Sequence, residues 1–268
     1  MDVKLIQDTA VQAQKANRLD GTERAVILSD GQKVESLEKI SVTRFRYRGQ
    51  YTTNVLADFE TFSRKTCGEG AAQVFVSIDD MSAKAFFNLG TLADPGHGDH
   101  TATLKLKPTA AFSALNAIHG QKLTQKQLAE WLEDWNLNVA PSYASGDDKT
   151  LQRAITAIRK ITIKSKAQST SQTGNFAASR SAMEEIEAQS GNDLPDGFTF
   201  YCEPYLGLAA RTFKLSLSVL TGDDDPKLSV RWAQREAEIE SIGVEFKNVL
   251  AKDLDGTSIA LTIGSFAP

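Results

Sequence analysis

Between Thr101 and Asn138 the spacing of apolar residues changes from two to three or four, and a residue that can end one element or begin the next marks each change. In TATLKLK, Ala102, Leu104 and Leu106 alternate with Thr103, Lys105 and Lys107, as in a strand with one buried face. Pro108 ends the run, because proline has no N–H for a ladder. Thr109 offers a hydroxyl to the free N–H groups of a helix carrying Phe112, Leu115 and Ile118, and Gly120 suits its end. A second helix follows at once. Thr124 and Gln127 stand at the spacing of a capping box, and Leu128, Trp131, Leu132 and Trp135 form a single apolar stripe. A strand and two helices so close together, each with a face to bury, require a mixed architecture.

The flanking sequence extends the same reading. Ala25 to Leu28, Ser41 to Tyr51, Gln73 to Ile78 and Lys84 to Leu89 read as strands, the second by its alternation and its Val, Phe and Tyr content, and Ala57 to Lys65 forms a short helix or an irregular connection. Leu151, Ala154, Ile155 and Ile158 trace a further helix, running into alternating Ile161 to Lys164. Residues 167 to 193 read either as a long hairpin about Thr173-Gly174 or as a loop and helix. Phe198 to Cys202, Thr212 to Leu220 and Lys227 to Trp232 read as an antiparallel sheet, with TGDDDP as a turn. A helical stripe from Ile239 to Leu250, despite Gly243, and a strand over Ser258 to Ile263 close the chain. The expected fold is α+β: an antiparallel or mixed sheet with several packed amphipathic helices. Residues 1 to 20 are expected to form an N-terminal arm and 21 to 268 a single domain, with a sub-division point at the polar stretch 140–149.

Composition narrows the function classes. Thirty basic and 34 acidic residues give a net charge of −4, so no global positive field draws the protein to nucleic acid, and any such binding needs a local patch. Cys67 and Cys202 form neither a disulfide framework nor a thiolate zinc spacing. No apolar run resembles a signal peptide or a membrane span, so the expectation is a soluble, cytoplasmic protein. Gly-x-Ser-x-Gly, a phosphate-binding loop and His-Glu-x-x-His are all missing, so the chain reads as non-catalytic and without a cofactor. Cys67 or Cys202 with His119 would make a nucleophile dyad only if folding brought them together.

Three sets of residues are candidates for function. Asp94, His97, Asp99 and His100, in DPGHGDH, combine two imidazoles with two carboxylates, ligand types that suit a divalent metal when they converge. The same residues are ordinary in an exposed turn. Arg44, Arg46 and Arg48, on an expected strand, would form a row opposite Phe45, Tyr47 and Tyr51, able to hold phosphates of a nucleic acid or another anion. The alternative is an aromatic core face with a solvated arginine face. Leu128, Trp131, Leu132 and Trp135 bury their stripe either against the chain's own sheet or against another subunit.

GQKVESLEK, followed by DHTATLKLKPTAAFSALNAIHGQKLTQKQLAEWLED, resembles the YfdQ-like family of uncharacterised phage and prophage proteins. The resemblance rests on Lys33 to Lys39, on His100, Ala102, Pro108 and Thr109, and on Gln127 to Asp134. Phe112 stands where that family usually has tryptophan. The resemblance implies phage ancestry and the cytoplasm of a bacterial host, and it transfers no catalytic residue. The leading expectation is a non-catalytic accessory protein that self-associates or binds a phage or host protein. The alternative is a nucleic-acid-binding accessory of phage recombination or replication.

Overall fold

The computed structural model describes residues 41–67, 72–146, 148–161, 193–220 and 227–267, together with Lys4 and Glu38. The chain divides into two units, Met1–Tyr47 and Arg48–Pro268. The expected arm, the strand at Ala25 to Leu28, the alternation beyond Ile161 and nearly all of 167 to 193 lie outside the described residues.

In the first unit, Glu38 anchors the following turn: its carbonyl accepts from the Ser41 N–H at 3.3 Å and its carboxylate from the Phe45 N–H at 3.0 Å. The strand expected over Ser41 to Tyr51 is shorter than its alternation implies. Residues 41–48 are bends and irregular backbone, and pairing begins only at Gly49. Phe45 is 67% exposed and Tyr47 76%, so they are not core residues as the alternation implied. Alternation defines a buried face only where a strand has a sheet to join.

The second unit contains two five-stranded sheets and, among the described residues, five helices. The first sheet is mixed. β1 (Gly49–Thr53) leads through α1 (Leu56–Thr66) to β2 (Ala72–Ser77), β3 (Ser82–Phe86) and β4 (His100–Lys105). Its strand order is β1-β4-β3-β2-β10, where β10 is Ile259–Ile263. β1 runs parallel to β4 and β10 parallel to β2; the β2–β3 and β3–β4 pairs are antiparallel. Val74, Val76, Ala83, Ala85, Ala102 and Leu104 bury the inner face. The tight β2–β3 connection uses Asp79 and Asp80 and places Met81 at φ 49°.

The second sheet is antiparallel throughout, in the order β5-β9-β8-β7-β6. These strands are β5 (Lys122–Leu123), β6 (Val139–Ser142), β7 (Gly197–Cys202), β8 (Arg211–Leu220) and β9 (Lys227–Trp232). At Gly197 the β7 backbone approaches β8 so closely that a Cβ would stand 2.0 Å from the Leu215 carbonyl oxygen, so no other residue fits. Phe198, Phe200, Phe213, Leu215, Leu217, Val230 and Trp232 make its buried face.

The helices fill the interior with the periodicity the sequence carries. α2 (Ala110–Ile118) is capped by Thr109, whose hydroxyl oxygen accepts the Phe112 N–H at 3.2 Å. α3 (Gln125–Asp134) has a complete capping box: Thr124 Oγ1 accepts from Gln127 N, and Gln127 Oε1 accepts from Thr124 N at 2.9 Å. α4 (Leu151–Arg159) buries Ala154, Ile155, Ala157 and Ile158. α5 (Arg235–Asp253) joins the two sheets. Its Glu238 and Glu245 pair with Arg211 of β8, while Gly243 lies against Ile78, just past β2. Buried residues of both sheets and all five helices form one continuous core, which runs across 140–149 without a break.

Candidate binding surfaces

The loop from Phe87 to Asp99 is built by its own polar groups. Gly90 takes φ +75° where a Cβ would stand 2.3 Å from the Asp94 carbonyl oxygen, and a Cβ on Gly96 would stand 2.1 Å from that of Asn88. Asn88 then clamps the far side. Its amide donates to Asp99 Oδ1 at 2.8 Å, and its side-chain oxygen accepts the His100 N–H at 2.9 Å. His100 is only 6% exposed and its ring lies 5.0 Å from Phe87, which continues through Phe62 to Tyr51. Burial pushes the His100 imidazole below its ordinary value, with the Asp99 carboxylate opposing. Asp94 and His97 stay exposed at the loop's rim. These residues therefore divide between a core position, a clamp and solvent. Among the described residues no three His, Cys, Asp or Glu side chains are grouped to hold a metal ion.

The cysteines and His119 are likewise engaged in the fold. Burial pushes the Cys202 thiol up to about 12, which keeps it protonated and a poor nucleophile. Cys67 is buried with its sulfur 3.2 Å from Ser258 Oγ. His119 Nδ1 accepts the Trp232 backbone N–H at 3.0 Å, tying the end of α2 to β9.

The arginine row does not form on a strand. Arg44, Arg46 and Arg48 all precede β1, with Arg44 and Arg46 in the first unit and Arg48 at the start of the second. The tryptophan stripe packs on the chain's own second sheet, with Trp131 and Trp135 half-buried. Leu128 and Leu132 are fully buried, and Trp131 stacks on Phe200 of β7 with ring centroids 5.6 Å apart. Trp135 meets the same ring at 6.2 Å.

Two surfaces that the sequence did not announce emerge from the sheets. The first is the free edge of β10. Among the described residues this strand pairs with β2 alone, and its sequence, IALTI, contains no charge or proline. The Gly264 N–H donates to the Val76 carbonyl at 2.8 Å, so in a parallel ladder Ala260 and Thr262 also direct their backbone groups to β2. Those of Leu261 and Ile263 consequently point away from the sheet, as does the Ile259 carbonyl, while the Ile259 N–H donates to Thr257 Oγ1 at 3.3 Å. Ile263 is 57% exposed, while Phe266 folds back to stack on Phe75 at 5.1 Å and fixes the strand's end.

The second is the outer face of the second sheet. None of its strands carries an aspartate or glutamate, although acids outnumber bases in the chain as a whole. The cations Lys122, Lys214, Lys227 and Arg231 all occupy outward positions, opposite or beside Ser216, Ser218 and Ser229. Tyr201 is the exposed aromatic of this face, at 56%. The alternation in RTFKLSLSVL and KLSVRW could have identified these residues as outward. Their registration with one another comes only from the pairing.

Residues 1–266 match a family described as an uncharacterized conserved protein (DUF2303). No curated protein and no solved structure matches the chain.

Proposed function

We propose that this chain, which belongs to the DUF2303 family, is a non-catalytic accessory protein that works by associating with copies of itself through the free edge of β10. The observation that carries the reading is the character of that edge. Exposed edge strands are usually blunted by lysine, proline or a bulge, because their unpaired N–H and C=O groups recruit other strands. β10 has no such residue.

The sequence of β10 also fits a second copy of itself. Read backwards, IALTI becomes ITLAI, so an antiparallel pair centred on Leu261 sets leucine against leucine, Ile259 against Ile263, and alanine against threonine. Leu261 and Ile263 present outward backbone groups and Ile259 an outward carbonyl, so the central leucine pair exchanges both of its N–H···O bonds. Each pair of Ile259 with Ile263 does so once the Ile259 N–H leaves Thr257 Oγ1, which it meets at 3.3 Å. A two-fold axis through Leu261 would join two first sheets into one continuous sheet. The resemblance to YfdQ-like phage and prophage proteins supports placing this activity in the cytoplasm of a bacterial host, in the service of a phage.

Light scattering on the size-separated full-length protein over a range of concentrations tests the reading. The wild type should give at least a dimer mass. Ile263→Pro should shift it to monomer, because proline removes an outward N–H and leaves the β2 ladder intact. Circular dichroism should be unchanged. A wild type that stays monomeric at high concentration, or a folded proline variant that retains the dimer mass, would refute the proposal.

A further inference from the structure

We propose that the outer face of the second sheet binds single-stranded nucleic acid along a diagonal formed by Tyr201, Lys214, Arg231 and Lys122. The register creates this line. Tyr201 faces Thr212, two residues from Lys214 on β8; Lys214 stands two residues from Ser216, which faces Arg231 on β9; Arg231 stands two residues from Ser229, which faces Lys122 on β5. Each step is a diagonal cross-strand neighbour, roughly 7–8 Å apart, so the line advances one strand and one row at a time. All its side chains are exposed. None makes an ion pair among the described residues, whereas Arg211, on the same sheet, is held by Glu238 and Glu245.

Charge complementarity selects the occupant. A face with cations and no strand carboxylate attracts a polyanion locally, although the chain as a whole carries a net charge of −4. Lys227 adds to it but lies off the diagonal, next to the connection that carries Asp223 to Asp225, so the proposal does not rest on it. The face is a sheet surface lined with small residues, Gly197 and Ser216 among them, and offers no helix or protruding ribbon to enter a duplex groove. A single strand laid on it would place successive phosphates over Lys214, Arg231 and Lys122, with an unpaired base stacked on Tyr201 at the end of the line. In a duplex the bases are already stacked, and Tyr201 would have no partner. Stacking on an aromatic beside a basic track is how strands are held without sequence preference.

The test is fluorescence anisotropy of full-length protein with a labelled oligothymidine of about 12 nucleotides, its duplex with oligoadenosine, and anionic phosphatidylserine vesicles as competitor. Three phosphate contacts predict a slope of log affinity against log salt of about −2. Lys214→Ala with Arg231→Ala should weaken binding at least about tenfold at low salt and reduce the slope by about 1.4. Tyr201→Ala should weaken it roughly 5- to 160-fold with the slope unchanged. Arg44, Arg46 and Arg48 changed together to alanine should leave affinity as it is. All these side chains are exposed or peripheral, and circular dichroism checks that each variant is folded. The proposal is overturned by absence of binding at low salt, by equal affinity for the duplex, or by binding to vesicles alone. It is equally overturned if affinity is lost in the arginine variant and retained in the Lys214/Arg231 variant.

Discussion

Replacing Gly243 by alanine isolates the contact through which α5 rests on the first sheet. In an exposed helix the change would be favourable by about 1 kcal/mol, because glycine is the poorer helix former. Here the added Cβ would stand 2.1 Å from Ile78 Cγ2, about 1.3 Å inside ordinary contact at 3.4 Å. Ile78 is β-branched, so its Cγ2 cannot swing aside without a change of χ1. The helix cannot retreat freely either, because its buried Ile242, Phe246 and Leu250 are packed into the core and Arg211 holds Glu245. Overpacking costs about 1–3 kcal/mol, and an overlap this deep with a group that cannot swing aside belongs to the upper half of that range, so after the roughly 1 kcal/mol gain in helix propensity the net expectation is a destabilisation of about 1–2 kcal/mol. Ile78→Ala removes Cγ2 and so relieves the clash. In that background Gly243→Ala should become neutral or stabilising, giving a coupling of about 1–3 kcal/mol in a double-mutant cycle. Urea unfolding of the four proteins measures it. If Gly243→Ala is harmless alone, or costs the same whether or not Ile78 is present, the helix is not seated on this contact and the reasoning fails.

Three further outcomes follow from buried and half-buried groups. His100 is held below its ordinary value of 6.5 by burial, so as pH falls below 6.5 the unfolded chain takes up the proton first and the native state loses stability. The contribution is fully present above pH 6.5 and is lost as pH falls towards the folded value. His100→Gln should flatten the difference in urea midpoint between about pH 7.5 and 5.5, and an unchanged difference would refute the assignment. Leu132 is fully buried, so Leu132→Ala should cost about 2–5 kcal/mol. Trp131→Ala, which removes the stack on Phe200, should lower the unfolding midpoint without changing the mass seen by light scattering. A change in association state would mean that this stripe also meets a second subunit.

What could be read from the sequence was what is decided within a few residues. The Thr109 and Thr124 caps depend on contacts three positions away, and both helices begin where those threonines stand. The long strands of the second sheet announced themselves by alternation, as did Gln73 to Ile78 in the first. β5, with only two residues, and β6, which contains Pro141, carry too little pattern to be seen. That the strands divide between two sheets is a matter of long-range pairing, which no local pattern encodes. The same limit explains the candidate sites. Arg44, Arg46 and Arg48 alternate as a strand would, yet their segment pairs with nothing before Gly49. Asp94, His97, Asp99 and His100 are close in sequence, but Asn88, eleven residues before Asp99, turns two of them inward. Conversely, Lys122 and Arg231 are far apart in the chain and become neighbours through one short pairing of β5 with β9.

The two proposed surfaces gain physical sense together. The inner faces of both sheets are buried in one shared core, so the outer face of the second sheet and the edge of the first are presented independently. A track of three cations and one aromatic is a weak site alone: with about three phosphates neutralised, much of its affinity disappears at physiological salt. Joining two chains at β10 would change the arithmetic without adding a contact to either track. Once one track holds a strand, the second meets it at the effective concentration set by the spacing of the tracks, and avidity can then exceed the single-site affinity by about 10²–10⁴. On this reasoning the unblunted edge is what makes a modest basic face useful, and a chain carrying only one of the two features would bind poorly. If both proposals hold, the absence of carboxylates from the second sheet's strands and the absence of charge from β10 would serve one end, an assembly holding a long polyanion by many weak contacts.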